Sequence, residues 1–234
     1  MAVLSEQRVR LERIIRAREF VFGIQDGLLS TVGLLSGVSA ATQSTALVIL
    51  TGLAAGVTGG ISMATGSYLA ARTEKGIFEK ELLDQERLAA SEPYLAQEAL
   101  LEALTADGLD RPSAYRVVQI FSRQRDLLLR TVQEKVLGLG TAELSQPLKA
   151  GAVMFGSFLI GALIPMVPFL LPLGALALPT SWVLSVGTLL GVGVFKGFIT
   201  DAPLLRSGFE FAALALGSAL AGWLLGRLFG VALP

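Results

Sequence analysis

Two long stretches of this chain contain no charged side chain. Residues 27–71 and 150–195 lack Asp, Glu, Lys and Arg, and each stretch is about 45 residues long. Because about 20 apolar residues cross the hydrocarbon core of a bilayer as a helix, each stretch has room for two membrane spans. With 53% hydrophobic and only 16% charged residues, the chain is also too apolar for a soluble domain. The sequence therefore predicts a membrane protein.

The composition excludes several classes of function. The chain has no Cys and no His, which excludes thiol chemistry, a disulfide scaffold and the usual tetrahedral zinc sites. Its formal net charge of zero gives no electrostatic support for nucleic-acid binding. It also lacks a P-loop, a Glu-x-x-His helix motif and a nucleophile with a usable base. Neither an enzyme nor a permanently bound cofactor is expected.

Turn-forming residues divide the apolar stretches into five spans. Span one is expected from about residue 20 to the polar run at 41–45, and span two from there to residue 71. Pro172, Gly174 and Pro179 separate span three, at 148–171, from span four, at 182–199, and span five covers about 207–230. The predicted fold is an all-α membrane protein with five transmembrane helices and a three-helix cytoplasmic domain between spans two and three. The predicted domains are residues 1–71, 72–147 and 148–234.

The basic residues predict the orientation, because Lys and Arg are retained on the cytoplasmic side of a membrane. Five Arg precede span one, eleven Lys or Arg lie between Arg72 and Lys149, and Lys196 and Arg206 flank the turn between spans four and five. In a five-span chain all of these fall on one side. The N-terminus and the polar segment are therefore expected in the cytoplasm. Because no organellar targeting extension is visible before span one, a bacterial inner membrane is the expected location.

The polar segment is predicted to form three helices, at about 72–90, 93–106 and 112–137, with breaks where Pro and Gly cluster. The first is expected to continue span two without a break. Residues 74–110 contain ten acids and three bases, whereas residues 111–149 contain seven bases and three acids. One interpretation is a solvated acidic face beside a basic half that lies against anionic lipid headgroups. The other is that the acids collect a cation.

Asp26 is the most informative residue of the spans. A carboxylate within a membrane span costs several kcal/mol unless it faces water, a partner or an ion. A structural alternative has equal weight at this stage: Asp-Gly at the start of span one can cap the helix by accepting its free N–H groups. Met63 lies among small residues that allow close helix approach, where a thioether can face a pore, although a single Met is more often plain packing.

Acidic pairs in the polar segment suit a hard cation. Glu98 and Glu102 are four residues apart, and Glu81 and Asp84 are three apart, so each pair shares one helix face. Carboxylates on neighbouring helices favour Mg, Ca, Mn or ferrous iron. Such spacing is common on acidic helices, so spacing alone leaves the solvated face and the cation site both open.

Four segments are similar to one known family and occur in that family's order. They are REFVFGIQDGL at 18–28, GISMATGSYL at 60–69, SFLIGALIP at 157–165, and KG at 196–197 with RSG at 206–208. Together they cover nearly the whole chain after its first dozen residues. In these segments the chain resembles the vacuolar iron transporter (VIT) family of ferrous iron and manganese transporters.

The resemblance implies a five-span homodimer with a path between the two copies of span one. It also implies proton-coupled export of ferrous iron or manganese from the cytosol, with the metal as substrate. The family's span-one acid falls on Asp26 and its span-two Met on Met63. The polar segment resembles the family's cytoplasmic metal-binding domain, whose carboxylates here are Glu74, Glu79, Glu81, Asp84, Glu86, Glu98 and Glu102. The implied partners are divalent metal ions, protons, membrane lipid and a second copy of the chain.

Three positions depart from the family pattern. Ser67 stands where an acid commonly follows the span-two Gly, and Val132 and Val136 stand where a Met and a Glu are usual near the end of the third cytoplasmic helix. These departures leave two alternatives open. One is a membrane metal sensor or scaffold that does not transport, and the other is a transporter of the same fold for another ion.

Overall fold

The chain is helical throughout most of residues 2–135 and 146–232, which the computed structural model describes. Within these two ranges the structure also describes the side chains, with some exceptions. The exceptions are residues 2–16, 82, 85, 86, 88–90, 93, 125, 133, 134, 231 and 232. The prediction of an all-α protein is confirmed. In chain order the helices are α1 (Ala2–Ala41), α2 (Thr45–Ser91), α3 (Pro93–Ala106), α4 (Arg111–Ser122), α5 (Arg125–Lys135), α6 (Pro147–Leu163), α7 (Val167–Leu170), α8 (Ala177–Thr200) and α9 (Leu204–Ala232).

Five segments of these helices are long and apolar enough to cross a membrane, as predicted. They are Ala17–Ala41, Thr45–Glu81, Pro147–Leu170, Gly174–Thr200 and Leu204–Gly230. The turn between the first two falls at residues 42–44, within the predicted polar run. Ser44 Oγ accepts a hydrogen bond from Leu47 N at 3.3 Å, which satisfies one free N–H at the start of α2. The expected continuation of span two into the polar segment is also confirmed, because α2 runs unbroken to Ser91.

Helix α1 corrects the capping interpretation of Asp26. The helix begins at Ala2 and continues without a break to Ala41, so Asp26 lies in its interior. A capping side chain acts at the first residue of a helix, where the following N–H groups have no helical acceptor. The alternative that Asp26 caps the start of span one is therefore wrong.

Two prolines shape the end of the third span. After α6 the chain forms a short 3-10 helix, Ile164–Met166, and then α7, because Pro165 and Pro168 supply no N–H to a continuous helix. Ser181 Oγ donates to the Pro165 carbonyl at 2.7 Å, so this buried acceptor has a partner. The helix of span four, α8, begins at Ala177, which is earlier than expected, and it includes Pro179. Placing Pro179 in the loop was wrong, since a proline is tolerated in a first helical turn.

The described residues form two compact units. The membrane unit comprises Met1–Tyr68 and Pro147–Pro234, and the polar unit comprises Leu69–Gln146. Helix α2 contributes residues to both. Within the described part of the chain, every buried side-chain nitrogen or oxygen has a hydrogen-bond partner, as a stable interior requires.

In the membrane unit, α1 packs against α6 at backbone distance. A methyl group added at Gly27 would clash with the carbonyl oxygen of Phe158, and one added at Gly161 would clash with that of Ile24. At Gly23 an added methyl would clash with the Ser157 hydroxyl. Such contacts are available only to residues without a side chain, and they let two membrane helices gain dispersion energy along their backbones.

Helix α9 packs against α1 in the same way. Gly222 and Gly226 lie directly against the carbonyl oxygens of Gly33 and Gly37, and one turn further Gly230 approaches Ala41. An added methyl at Gly230 would lie 2.8 Å from the Ala41 Cα. Small residues spaced by four form one face of a helix, so this contact runs along three turns.

Two side-chain hydrogen bonds join α9 and α8 to α1. Ser218 Oγ donates to the Leu29 carbonyl at 2.7 Å, and Trp182 Nε1 donates to Ser36 Oγ at 2.8 Å. A core of Leu28, Val32, Leu189, Phe211, Ala215 and Ala219 fills the space among α1, α8 and α9. Helix α1 is therefore the central helix of the membrane unit.

The polar unit has its own apolar core, made by Ala96 and Leu100 of α3, Val118 of α4, and Leu128 and Val132 of α5. The expected single helix at 112–137 is wrong, because residues 123–124 separate α4 from α5. A straight helix over 112–137 would be about 39 Å long, whereas the 14 residues of α3 span about 21 Å. The break lets both helices pack on α3. Residues 136 and 137, the end of the predicted helix, lie outside the described residues.

Two polar contacts define the ends of these short helices. Asp110 Oδ2 accepts a hydrogen bond from Ser113 N at 3.1 Å and so caps α4. This hydrogen bond favours the ionised carboxyl and lowers the pKa of Asp110 below its usual value. The cap therefore stabilises the helix above the ordinary pKa of Asp and is lost as the pH falls through the lowered value. An exposed ion pair between Lys135 and Asp107 joins the ends of α5 and α3.

The glycine contacts between α1 and α9 give a paired test. Gly226→Ala should destabilise the protein by about 1–3 kcal/mol, because the new methyl overlaps the Gly37 carbonyl and the helices must separate. Gly217→Ala, on the same helix, meets no atom within 4 Å and should be neutral or stabilising by up to about 1 kcal/mol. Thermal unfolding of the two purified variants in detergent measures both effects. Equal melting temperatures would contradict this account of the interface.

Candidate functional site

Asp26 lies on a side of α1 that is partly open at this level, before Gly33 on the same face packs against α9. Phe22 and Ser30 are one turn before and one turn after it, so the three residues share a helix face. Phe22 is 50% exposed, Ser30 is exposed and Asp26 is partly buried. We call Phe22, Asp26 and Ser30 the open face of α1. Ser30 Oγ donates to the backbone carbonyl of Asp26 at 2.6 Å, which leaves the carboxylate itself uninvolved in that bond.

The Asp26 carboxylate has no cationic partner within the described part of the chain. The salt bridges among the described residues are formed by four bases, each of which pairs with an acid outside α1. These bases are Lys75, Arg87, Lys135 and Arg206. Lys and Arg are also absent from residues 27–71, so no base follows on the rest of the first span or on the first 27 residues of the second. An ionisable side chain at such a position is a candidate functional residue, because placing it there is costly without a partner, water or an ion.

Glu19 is a second carboxylate on this side of α1, and the pattern reasoning above did not single it out. It lies seven residues, or about two turns, before Asp26 and is also partly buried. The available signal was the seven-residue spacing of two acids in Arg18-Glu19-Phe20-Val21-Phe22-Gly23-Ile24-Gln25-Asp26, which places both acids on one helix face.

Met63 reaches the same region from α2. Helix α2 packs on α6 through Gly56, Gly59 and Gly60, which face Ala162, the Phe158 ring and the Phe155 ring respectively. Met63 follows one turn after Gly59 and is partly buried. It therefore lies on the part of α2 that runs beside α6.

Phe158 of α6 contacts both the helix that carries Asp26 and the helix that carries Met63. Its carbonyl lies against Gly27, next to Asp26, and its ring lies against Gly59, one turn before Met63. Along α6, the contacts of α2 run in the opposite direction to those of α1. Met63 is therefore displaced toward the Glu19 end of α1. Asp26 and Met63 therefore lie on two helices that both contact α6 at Phe158.

The predicted carboxylates of the polar unit are mostly exposed. On α2, Glu74, Glu79 and Asp84 are exposed and Glu81 is partly buried, while the side chain of Glu86 lies outside the described ones. Glu79 pairs with Lys75 at 3.6 Å and Asp84 with Arg87 at 3.8 Å. Such exposed pairs contribute little to stability and leave the acids accessible.

Glu98 and Glu102 share an exposed face of α3, as their spacing predicts. The beginning of this helix has a negative local potential: Tyr94 Oη donates to Glu92 at 2.9 Å, and this bond and then the nearby charge of Glu98 raise the pKa of Tyr94. Among the described residues, however, no three carboxylates converge on one point. The expected metal site in this unit stays a prediction.

The departures from the family pattern have different surroundings. Val132 is 2% exposed and belongs to the core of the polar unit, so its role there is packing. Ser67 is partly buried on α2, within the second membrane span. Val136 lies outside the described residues.

The fold and the site together define a polytopic helical membrane protein whose first span contains a carboxylate without a cationic partner among the described residues. Residues 17–227 match the model of the VIT family. The chain therefore belongs to the VIT family, which confirms the resemblance found in its four sequence segments.

Curated relatives match over most of their own length. The chain is 28% identical to vacuolar iron transporter 1 of Eucalyptus grandis over 87% of this chain and 83% of the relative. It is 29% identical to vacuolar iron transporter 1 of Arabidopsis thaliana over 87% and 82%. It is 30% identical to vacuolar iron transporter 2 of Oryza sativa subsp. japonica over 87% and 84%.

Proposed function

We propose that this protein is a proton-coupled transporter that exports divalent metal, ferrous iron or manganese, from the cytosol. The observation that carries the proposal is Asp26, a carboxylate without a described cationic partner on the open face of a membrane helix. Membership of the VIT family and relatives named as iron transporters supply the class of substrate.

The direction of export rests on the distribution of bases. The Arg residues before span one, the bases of the polar unit, and Lys196 with Arg206 all fall on one side of a five-span chain. That side is the cytoplasmic one by the positive-inside rule. The acids of the polar unit then face the cytosol, where they attract cations. The bacterial inner membrane expected from the sequence stays a prediction, since the relatives are named for the vacuole.

A second copy of the chain is needed to cover the open face of α1. In a single subunit Asp26 would face lipid at a cost of several kcal/mol. Two copies of α1 that face each other across a symmetry axis would instead enclose both carboxylates in a polar path. The position of the acid thus supports a homodimer, with the metal as the substrate of the path between the two copies.

Exchange between a proton and a metal ion needs only one shared carboxylate. A divalent cation binds the ionised carboxylate, and a proton binds the same oxygens once the cation has left. Because the two ligands compete, a proton gradient can drive the metal in the opposite direction without a nucleotide. Met63 adds a thioether close to the same path, and sulfur favours ferrous iron over harder ions.

Asp26→Asn is the direct test of this mechanism. Flux of Fe²⁺ and Mn²⁺ should fall to the level of protein-free liposomes, because the amide carries no charge and exchanges no proton. The measurement is metal flux into proteoliposomes with an imposed pH gradient, with light scattering in detergent to confirm that the variant is still a dimer. The matched control is Asp201→Asn, in the turn after α8, which should keep its flux.

Two outcomes of that experiment would reject the proposal. Normal flux by a dimeric Asp26→Asn variant would remove Asp26 from the transport path. If the unmodified protein moved none of Fe²⁺, Mn²⁺ and Mg²⁺ but still bound metal, it would be a sensor or scaffold.

Met63→Leu separates the sulfur of Met63 from its packing. Leu retains the volume and apolarity of Met but has no thioether, so flux of Fe²⁺ should fall several-fold relative to Mn²⁺ while the stability is kept. Met63→Ala should change the ion preference in the same direction. Competition between Fe²⁺ and Mn²⁺ in the flux assay measures the ratio. An unchanged ratio in both variants would assign Met63 to packing alone.

The acids of α3 are tested by removing their charge. Glu98→Gln with Glu102→Gln should raise the KM for metal about fivefold, the effect of about 1 kcal/mol from exposed charges, and leave the maximal flux unchanged. Asp126→Asn, an exposed acid in the basic half, is the control. The same KM in the double variant and the unmodified protein would exclude these two acids from metal capture.

A further inference from the structure

An apolar groove lies between α1 and α8, away from the transport residues. Phe20, Val21 and Ile24 line it on α1, and Gly191, Val192 and Phe195 line it on α8. Its volume is about 330 Å³, near the lower end of the range for small-molecule sites. Phe20 and Phe195 are 40% and 48% exposed at its mouth, whereas Ile24 is 7% exposed at its floor.

The groove and the open face are on opposite sides of α1. At 100° per residue, the groove residues Phe20, Val21 and Ile24 point about 180° away from Phe22, Asp26 and Ser30. A second copy that covers Asp26 therefore leaves the groove free. The groove faces the hydrocarbon core, since all its lining residues belong to the membrane spans.

Two bases stand at one end of the groove. Arg18 lies one turn before Val21, and Lys196 lies one turn after Val192. Because spans one and four cross the membrane in opposite directions, both bases are at the same surface. The Lys196 ammonium is 5.1 Å from the centre of the Phe211 ring, and Val21 and Val192 pack against the core cluster that contains Phe211. The ammonium thus lies over a ring of the core cluster on which the groove residues Val21 and Val192 pack.

Neither base forms a salt bridge with an acid in the described part of the chain. Glu210, next to Phe211, pairs with Arg206 at 3.2 Å. Glu19, next to Arg18, lies on the Asp26 side of α1. The groove therefore combines an apolar slot with two positive charges near one membrane surface, of which the Arg18 charge also acts on Glu19.

We propose that the α1–α8 groove binds one anionic phospholipid. One acyl chain fills the slot between Phe20 and Phe195, and the phosphate of the headgroup contacts Arg18 and Lys196. A basic side chain near the surface of a membrane favours an anionic lipid by about 1 kcal/mol, or about fivefold. The lining of the slot offers an ion no carboxylate.

The test is native mass spectrometry of the full chain with equal amounts of phosphatidylglycerol and phosphatidylcholine that have the same acyl chains. The unmodified protein should retain one phosphatidylglycerol in preference. Lys196→Gln and Arg18→Gln should each lower the ratio of retained phosphatidylglycerol to phosphatidylcholine about fivefold. Lys149→Gln, an exposed base at the start of α6 on the same side of the membrane, should leave the ratio unchanged.

A second pair of variants tests the slot without changing any charge. Gly191→Leu should abolish retention of both lipids, because its side chain occupies the groove. Gly187→Leu, one turn earlier on α8 and outside the lining, should retain them; an added Cβ meets no atom within 4 Å at either glycine. Equal lipid retention by the two Leu variants would overturn the proposal, as would an unchanged lipid ratio in Lys196→Gln and Arg18→Gln. These experiments measure lipid retention and not metal flux. Their result is therefore independent of the transport proposal.

Discussion

The membrane unit depends on the approach of helices α6 and α9 to the backbone of α1. Gly23, Gly27 and Gly161 bring α1 and α6 together, and Gly222 and Gly226 bring α9 onto the carbonyls of α1. Between membrane helices the lipid removes most of the hydrophobic driving force, so dispersion contacts at short range have to supply it. Glycine at these positions allows that range, and the whole arrangement of spans is built around it.

This packing also explains which positions of α1 can hold an acidic side chain. Two sides of the helix are committed to backbone contact and a third, with Leu28 and Val32, to the core shared with α8 and α9. Around Asp26 and Glu19, before Gly33 on the same side meets α9, this side of α1 is uncovered, and a carboxylate there can meet water, an ion or a second subunit. The site is therefore a consequence of what the neighbouring helices leave uncovered.

Much of this could be predicted from the sequence. Stretches without charge predict the spans because burying charge in lipid is so unfavourable, and the motif around Asp26 identifies the family. The interior position of Asp26 on α1 could not be predicted, because nothing in the pattern excludes a helix start at Asp-Gly. The break after Ser122 depends on the length of α3, which acts through tertiary packing. The open face requires knowledge of which helices flank α1, and that information is not local to any motif.

The contacts of α2 differ in kind from those of α1. Gly59 and Gly60 meet the rings of Phe158 and Phe155, and Gly56 meets only the Ala162 methyl at 3.4 Å. A ring can change its rotamer, whereas a carbonyl fixed in a helix cannot move by itself. The exception is next to Met63, where the Ala64 carbonyl oxygen of α2 lies 3.0 Å from a methyl group placed on Gly151 of α6. Before that point α2 rests on side chains that can adapt, beside a frame of α1, α6 and α9 that cannot. A movement of α2 there would need only new ring rotamers, whereas a movement of α1 would need whole helices to separate.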